Sequence, residues 1–244
     1  MSDKICIAIP IKTASIEINT TILKQIIKKQ PDFIELRFDY IDNVNLITTS
    51  FLKQLLSLTN IPIIFTLRSN REGGNLDLNN SQRLSILKRL IQARPDYFDI
   101  EMLSPINLLQ EIIHLCINKR IKIICSYHNF QSTEPLQEAQ NLIENFKSKL
   151  ENIVQDSALI FESFIFKLIF TATQFEDNLM PLKLCKKLNS QGYKTISFCM
   201  GKLGIFSRIM CLKAGSFFTY AALRETTAPG QLNITTMRNF LSLL

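Results

Sequence analysis

The sequence holds few residues of three types: seven glycines, two histidines and no tryptophan among 244 residues. It also lacks the low hydrophobicity and high charge of disordered chains, because 46% of the residues are hydrophobic and only 20% are charged. No apolar run approaches the roughly 20 residues that a helix needs to cross a bilayer. These absences exclude a mainly disordered chain, and we expect no membrane partner.

Paired cysteines are also missing. The six cysteines include no C-x-x-C pair, and no histidine stands at zinc-finger spacing. Cys6, Cys125 and Cys199 lie inside apolar runs, where a thiol usually behaves as a small buried hydrophobe. Residues 1–12 contain too short an apolar run for the core of a signal peptide. We therefore expect a reduced, cytoplasmic protein with no metal site.

The balance of charge is positive, because 28 lysines and arginines stand against 21 aspartates and glutamates, which gives a formal charge of +7. Proteins that bind nucleic acids usually concentrate such charge in one patch or arm. Here the basic residues form only short clusters on the polar sides of periodic segments. We expect no nucleic-acid partner, and the charge fits either a solvated surface or a pocket for a small anion.

Short apolar runs alternate with longer amphipathic segments along the whole chain. Most of the runs are rich in Ile, Phe, Val or Tyr, as buried parallel strands are. We expect strands at residues 5–10, 33–38, 61–67, 97–101, 121–127, 164–170, 195–200 and 217–222. Apolar residues at i, i+3 and i+4 spacing predict helices between them. These helices are expected near residues 16–27, 46–56, 80–91, 106–116, 136–150, 179–188, 205–212 and 237–244, with Asn80 or Ser81 as the cap of the third.

This alternation decides the fold class. Eight strand–helix units in about 240 residues are the count and size of a (β/α)₈ barrel. The alternative is a doubly wound open sheet, which usually has a glycine-rich turn after its first strand. Residues 9–15 follow the first strand here and contain no glycine. We therefore predict an α/β protein with a single TIM-barrel domain over residues 1–244.

Lys167 is the most unusual polar residue, because it stands inside the apolar run 164–170. A lysine in such surroundings is rarely buried without a partner, although its amine can also snorkel to the surface. A desolvated amine loses its proton readily, becomes nucleophilic near neutral pH and forms a Schiff base with a ketone or aldehyde. The imine acidifies the neighbouring carbon, and His128, one strand earlier, is the natural base for that proton.

Carboxylates also stand at the carboxyl ends of the predicted strands, where barrel enzymes place their chemistry. Either Glu72 or Glu101 can orient the imidazole of His128 and fix its tautomer. Asp99 and Glu101 are expected to be partners of the lysine or of nearby arginines.

Three arginines complete the set of charged residues at the strand ends. Arg37, Arg68 and Arg208 can pair with a substrate carboxylate, because the planar guanidinium offers two parallel donors. Arg37 can instead form an ion pair inside the barrel with Glu35 or Asp39. The residues alone therefore indicate imine chemistry on an anionic carbonyl compound, without a metal.

Seven motifs in this order resemble the type I, Schiff-base-forming 3-dehydroquinate dehydratases. They run from about residue 33 to 233, so the resemblance covers nearly the whole chain. A single motif of this kind is weak, but seven in family order are specific. The motifs are E-L-R-F-D (35–39), T-L-R-S-N-R-E-G-G (66–74), S-Y-H-N-F (126–130), F-K-L (166–168), M-G-K-L-G-I-F-S-R (200–208), G-S-F-F-T-Y (215–220) and A-P-G-Q (228–231).

The resemblance implies a (β/α)₈ barrel, generally a homodimer, that dehydrates 3-dehydroquinate to 3-dehydroshikimate in the shikimate pathway without a cofactor. By this resemblance Lys167 forms the imine, His128 is the general acid and base, and Glu72 supports the histidine. Substrate binding is implied for Glu35, Arg37, Arg68, Arg208, Thr227 and Gln231, with Arg208 on the substrate carboxylate and Gln231 on a closing loop. The alternative function is another imine-forming, aldolase-like barrel lyase.

The sequence departs from the family pattern in three places. Ala8 and Pro10 stand on strand one where relatives often have a polar residue, and His-Asn-Phe replaces the more usual His-Asp-Phe at residues 128–130. His128 and Lys167 are 39 positions apart, which indicates an insertion within residues 140–163. Lys147 and Lys149 are therefore alternative imine lysines, although both lie in a polar, helix-like run.

Overall fold

A parallel sheet that curls into a nearly closed barrel forms the centre of the computed structural model, which describes residues 3–223 and 227–244. Neighbouring strands pair in the order β7-β6-β5-β4-β3-β2-β1-β8. Between the two ends of this order, the Phe217 N–H donates to the Thr195 carbonyl at 2.7 Å. The strands are β1 (Ile5–Pro10), β2 (Phe33–Arg37), β3 (Ile63–Thr66), β4 (Tyr97–Glu101), β5 (Lys122–His128), β6 (Phe164–Thr171), β7 (Lys194–Met200) and β8 (Thr219–Ala221).

Helices connect successive strands and pack around the outside of the barrel. Each buries one apolar face, as the i, i+3 and i+4 spacing requires. The helices are α1 (Ile16–Ile27), α2 (Thr49–Ser57), α3 (Asn80–Gln92), α4 (Ile106–Asn118), α5 (Leu136–Val154), α6 (Ser157–Ser163), α7 (Leu179–Ser190), α8 (Ile205–Met210) and α9 (Ile234–Leu241). The prediction of an α/β, (β/α)₈ barrel is confirmed.

Several element bounds differ from the prediction for local reasons. Asn79, rather than Asn80 or Ser81, caps α3, because its side chain accepts from the Gln82 N–H in a capping box. Strand β8 is shorter than predicted, because only Thr219–Ala221 pair with β1. The rings of Phe217 and Phe218 pack on Phe33 at the amino end of the barrel, outside that pairing.

The long connection before β6 is filled by helix. Helix α5 is followed by its capping residue Gln155, which adopts a left-handed conformation with φ of 57°. Asp156 then caps α6 by accepting from the Ala158 N–H at 2.9 Å. Helix α6 leads directly into β6 and stacks Phe161 on Tyr193 with ring centroids 4.7 Å apart. The extra length predicted within residues 140–163 therefore lies outside the barrel and leaves β6 in register.

Within residues 3–223 and 227–244, no helix is both long enough and apolar enough to cross a membrane.

Candidate active site

Four buried side chains from alternate strands meet at one level inside the barrel. They are Glu35 on β2, Asp99 on β4, Lys167 on β6 and Tyr220 on β8. The Lys167 Nζ lies 3.0 Å from Asp99 Oδ2, 3.0 Å from Tyr220 Oη and 3.8 Å from Glu35 Oε1. The stagger of the strands makes each layer of a (β/α)₈ barrel from alternate strands. A layer that is usually branched and apolar is polar in this barrel.

Lys167 is buried, with 4% of its surface exposed, so the amine does not snorkel to solvent. Successive residues of a strand face opposite sides, so Phe166 and Leu168 point away from the amine although they flank it in sequence. The partners of the amine come instead from β4 and β8. Lys167 is therefore a buried lysine with polar partners, rather than one enclosed by apolar side chains.

Asp99 is held between two cations. Its Oδ1 lies 2.8 Å from Arg68 Nη2 and accepts from the Ser126 hydroxyl at 2.6 Å, while its Oδ2 accepts from Lys167. Burial alone would raise the pKa of Asp99, but Arg68 and Lys167 outweigh it and hold the pKa well below its ordinary range. Arg68 also donates to Glu101 at 2.9 Å. Asp99 thus stays ionised beside the amine.

His128 and Glu72 form a second cluster at the same end of the barrel. His128 Nδ1 lies 3.0 Å from Glu72 Oε2, so Nε2 is the ring nitrogen left for a ligand. Burial, with the positive charges of Arg68 and Lys167, lowers the pKa of His128 well below its ordinary value. Burial also raises the pKa of Glu72 to about 8. The imidazole is therefore neutral near neutral pH and able to accept a proton.

The turn after β3 fixes the position of Glu72. Glu101, the other carboxylate considered for orienting the histidine, instead accepts from Arg68 and Arg83. The turn itself requires glycine, because a Cβ on Gly74 would lie 2.0 Å from the Arg68 carbonyl oxygen. Glu72 is therefore the carboxylate that contacts His128, and a tightly folded backbone holds it there.

Arg208 differs from the other arginines of the site. It is 1% exposed, its guanidinium lies 4.4 Å from the centroid of the Phe198 ring, and its Nη2 donates to the Pro229 carbonyl at 3.2 Å. Among the described residues no carboxylate lies within ion-pair distance of it, and its Nε has no hydrogen-bond partner. Burial lowers the pKa of Arg208 to about 10. A buried cation with unused donors is a natural place for an anionic group of a ligand.

Arg37 and Glu35 already have partners within the protein. Arg37 forms a two-pronged ion pair with Asp39, with Nε to Oδ1 at 2.8 Å and Nη2 to Oδ2 at 2.9 Å. The sequence left Glu35 and Asp39 as possible ion-pair partners of Arg37, and in the structure the partner is Asp39. Glu35 accepts from the Thr66 hydroxyl at 2.6 Å. Both side chains are held in fixed orientations while they face the same cavity.

A loop after β8 covers one side of this cavity. Gln231 Oε1 accepts from the Thr227 N–H at 2.8 Å, which links the two ends of the loop. The Pro229 carbonyl accepts from the Gly201 N–H at 3.2 Å and also from Arg208. Gly230 has a φ of 75°, and a Cβ there would lie 2.3 Å from the Gly201 carbonyl oxygen. Glycine therefore allows the loop to lie directly on the backbone that follows β7.

All the site residues predicted from the sequence line one cavity at the carboxyl ends of the strands. Lys147 and Lys149 lie on α5, outside the barrel, where Lys147 pairs with Glu144, so neither reaches the cavity. The predicted residues in the cavity wall are Glu35, Arg37, Arg68, Glu72, His128, Lys167, Arg208, Thr227 and Gln231.

Comparison with known proteins agrees with this geometry. The family model described as type I 3-dehydroquinase matches residues 5–244. The chain belongs to this family. As a type I 3-dehydroquinase it is a carbon–oxygen lyase of the dehydratase kind.

The chain is also similar to individual 3-dehydroquinate dehydratases. The 3-dehydroquinate dehydratase of Methanobrevibacter smithii is 32% identical over 239 residues, which are 97% of this chain and 95% of the relative. That of Methanococcus maripaludis is 31% identical over 98% of this chain and 99% of the relative. The crystal structure of the enzyme from Geobacillus kaustophilus superposes with a TM-score of 0.84 over 100% of this chain and 91% of that one, at 23% identity.

Sequence reasoning missed some residues of this 3-dehydroquinase site. Tyr220, Phe198 and Phe130 line the cavity, and the Ser126 hydroxyl bridges Arg68 and Asp99. Tyr220 stands at the end of the motif G-S-F-F-T-Y, but no role was assigned to it, because its position opposite Lys167 depends on the stagger of the closed barrel. Within the described parts of the chain, no group of three or more His, Cys, Asp or Glu side chains is placed to hold a metal ion.

Proposed function

We propose that the chain dehydrates 3-dehydroquinate to 3-dehydroshikimate through an imine at Lys167, with His128 as general acid and base. The observation that carries this proposal is one buried cavity that presents an amine, a neutral imidazole and an uncompensated guanidinium. Each of these groups matches one part of an anionic ketone that loses water.

Binding begins with the carboxylate of the substrate. Arg208 offers unused donors in a site that excludes water, where an ion pair is stronger than at the surface. Glu35, Arg37 and Arg68 line the same cavity and are proposed to contact the ring hydroxyls. Asp39 holds the guanidinium of Arg37, and Asp99 holds that of Arg68. The remaining N–H donors of both guanidinium groups are therefore oriented before the substrate arrives.

Imine formation follows at Lys167. The amine adds to the C3 ketone of the substrate, and the resulting carbinolamine takes up one proton from solvent and loses water to give a protonated imine. Asp99, ionised and 3.0 Å from Nζ, stabilises the positive charge of that imine.

His128 then transfers the protons of the elimination. Its neutral imidazole takes a proton from C2, the electron pair moves toward the imine, and an enamine forms. The imidazolium next gives its proton to the C1 hydroxyl, which leaves as water. Glu72 stabilises the imidazolium between these steps, and hydrolysis of the product imine frees Lys167.

The loop that carries Thr227 and Gln231 is proposed to close the site during this sequence. Its contacts with Gly201 and Arg208 seat it over the cavity. Closure keeps water from hydrolysing the imine before the elimination is complete.

Borohydride trapping with 3-dehydroquinate followed by mass spectrometry tests the proposal. We expect one reduced adduct per chain on Lys167, and no turnover in the Lys167→Ala variant. The matched control is Lys147→Ala, on α5 outside the barrel, which should keep full labelling and turnover. A label on another lysine would overturn the site, and wild-type protein without a label would overturn the mechanism.

The alternative function, an aldolase-like lyase, would also give a borohydride adduct. The two are distinguished by their products, because only the dehydratase makes a conjugated enone carboxylate from 3-dehydroquinate. An increase in ultraviolet absorbance on adding this substrate supports the dehydratase. An adduct without that increase supports the alternative.

The remaining expectations stay proposals. We propose one catalytic domain, no cofactor, a cytoplasmic location and a homodimer. Light scattering of the purified protein at micromolar concentration tests the dimer, and a mass of one 28.0 kDa chain would contradict it.

A further inference from the structure

The hydroxyl of Tyr220 contacts the reacting amine but has no part in the proposed reaction. Tyr220 lies on β8, is 4% exposed, and its Oη accepts from Lys167 Nζ at 3.0 Å. The same amine lies 4.7 Å from the centroid of the tyrosine ring. Burying a phenol hydroxyl costs free energy, and here the hydroxyl contacts the nitrogen that is proposed to react.

The surrounding rings hold this hydroxyl in place. Phe198 and Phe218 meet the Tyr220 ring edge to face, with centroids 6.2 Å and 5.3 Å away. Such packing fixes the ring within a narrow range of orientations. Burial, followed by the negative charge of Glu35, raises the pKa of Tyr220 well above its ordinary value. The phenol therefore stays neutral, and its oxygen accepts a hydrogen bond from the amine.

Only the unprotonated form of an amine attacks a carbonyl, and the geometry of that form explains the contact. Its nitrogen has four tetrahedral positions: one bond to carbon, two N–H bonds and one lone pair. Asp99 and Tyr220 each accept one N–H at 3.0 Å, while the next oxygen, on Glu35, is 3.8 Å away and beyond hydrogen-bond distance. The lone pair then points away from both acceptors and is free for an electrophile in the cavity.

We propose that Tyr220 is a positioning residue for imine formation, whose hydroxyl, together with Asp99, directs the lone pair of Lys167 at the substrate carbonyl. This inference rests on the proposed lysine imine. Without the hydroxyl, the amine keeps one acceptor and turns about its last carbon–nitrogen bond. Fewer encounters with the carbonyl are then productive, while the binding of the substrate carboxylate at Arg208 is unchanged.

The test compares Tyr220→Phe with wild type and with Tyr97→Phe. Tyr97 is another buried tyrosine, at the opposite end of the barrel on β4, so its variant controls for the loss of a phenol from the core. Rapid mixing with 3-dehydroquinate and quenching with borohydride gives the rate of adduct formation. Steady-state kinetics and thermal melts complete the comparison.

For Tyr220→Phe we expect the rate of adduct formation and kcat to fall together by about 10-fold to 100-fold, since a small misplacement of a reacting group has effects of that size. KM should change by less than about threefold, because the loss is not one of substrate binding. The thermal midpoint should stay within a few degrees of wild type, and Tyr97→Phe should form the adduct at the wild-type rate.

Each other outcome has a distinct meaning. If wild-type protein forms no adduct on Lys167, the proposed function fails. If wild type is labelled and Tyr220→Phe is labelled equally fast, only the role of Tyr220 is overturned. A rise in KM with unchanged kcat also overturns it, because the hydroxyl would then act in binding.

A folding failure of Tyr220→Phe is covered by a second variant. Incorporation of 3,5-difluorotyrosine at position 220, assayed at a pH low enough to keep this more acidic phenol protonated, keeps the ring and hydroxyl but makes the oxygen a weaker acceptor. Slower adduct formation than wild type is expected, and an unchanged rate overturns the proposal.

Discussion

Replacing Arg208 by methionine should make the protein more stable and its substrate binding weaker. Arg208 is buried with 1% of its surface exposed, and its nearest described partners are a carbonyl and an aromatic ring rather than a carboxylate. Burial lowers its pKa to about 10. A buried charge without an opposite charge costs free energy that an apolar side chain of similar length does not.

The size of the effect follows from that pKa. One pKa unit is about 1.4 kcal/mol, so the fall from the ordinary value of arginine corresponds to about 3 kcal/mol. Loss of the ring contact and the carbonyl hydrogen bond offsets about half. We expect Arg208→Met to gain about 1–2 kcal/mol in the free energy of unfolding. Because the folded pKa lies below the unfolded one, the cost of the charge is present below about pH 10 and disappears above it.

The loss in binding should be larger than the gain in stability. Each hydrogen bond between a guanidinium and a carboxylate contributes about 1.5–3 kcal/mol, so loss of the pair raises KM for 3-dehydroquinate by about 100-fold or more. Urea unfolding at pH 7.5 and steady-state kinetics measure the two effects on the same variant.

Arg37→Met is the matched control, since it also removes a buried arginine from the same cavity. Its loss leaves the Asp39 carboxylate buried without its two-pronged partner, which should cost about 3–5 kcal/mol of stability. The reasoning is refuted if Arg208→Met unfolds at lower urea than wild type, or if its KM is unchanged. It is also refuted if the two variants shift stability in the same direction.

Three further predictions concern the groups around the imidazole and the amine. The raised pKa of Glu72 gives stability that is fully present below about pH 4.5 and is lost as pH rises to about 8. The free energy of unfolding of Glu72→Gln, relative to wild type, should therefore rise by roughly 2–4 kcal/mol as the pH is raised from 5 to 8, measured by urea unfolding. Gly74→Ala forces a Cβ onto a backbone oxygen and should lower kcat about 100-fold. Gly192→Ala, on a turn away from the cavity, should keep kcat and lose only stability, because its Cβ meets nothing closer than 3.9 Å but its φ of 87° is strained for alanine. Asp99→Asn leaves the Lys167 amine without its carboxylate and should lower the unfolding free energy by about 3 kcal/mol, measured at pH 7.5. Unchanged urea midpoints in the Glu72 and Asp99 variants, or full activity in Gly74→Ala, would contradict these expectations.

The strands and the site residues could be predicted because each follows a simple pattern of apolar and polar residues along the chain. Strands buried on both faces appear as continuous apolar runs, and polar residues at their carboxyl ends face one cavity. The bounds of β1 and β4 were therefore predicted correctly from residues 5–10 and 97–101. The cap of α3 was placed one or two residues late, because Asn79, Asn80 and Ser81 are all good caps and only the backbone geometry chooses between them.

Tyr220 shows why some contacts could not be predicted. Its partner Lys167 is 53 positions away on β6, and β6 and β8 lie near opposite ends of the sheet order. The two meet only because the barrel closes and its strands are staggered, which brings alternate strands to one level. A sequence pattern gives the direction of a side chain along its own strand, but it does not give the level at which distant strands meet.

The sequence also does not show which of the three arginines lacks a carboxylate partner. In the sequence Arg37, Arg68 and Arg208 are equivalent candidates for a substrate carboxylate, and the net charge of +7 does not separate them. In the structure Asp39 neutralises Arg37, and Asp99 with Glu101 neutralises Arg68. Burial would lower the pKa of Arg68, but its two carboxylates raise it, while the pKa of Arg208 falls because no described carboxylate opposes burial. Arg208 is the arginine of the three that no described carboxylate compensates, so the distribution of carboxylates, rather than the count of cations, supports the proposal that Arg208 binds the anion.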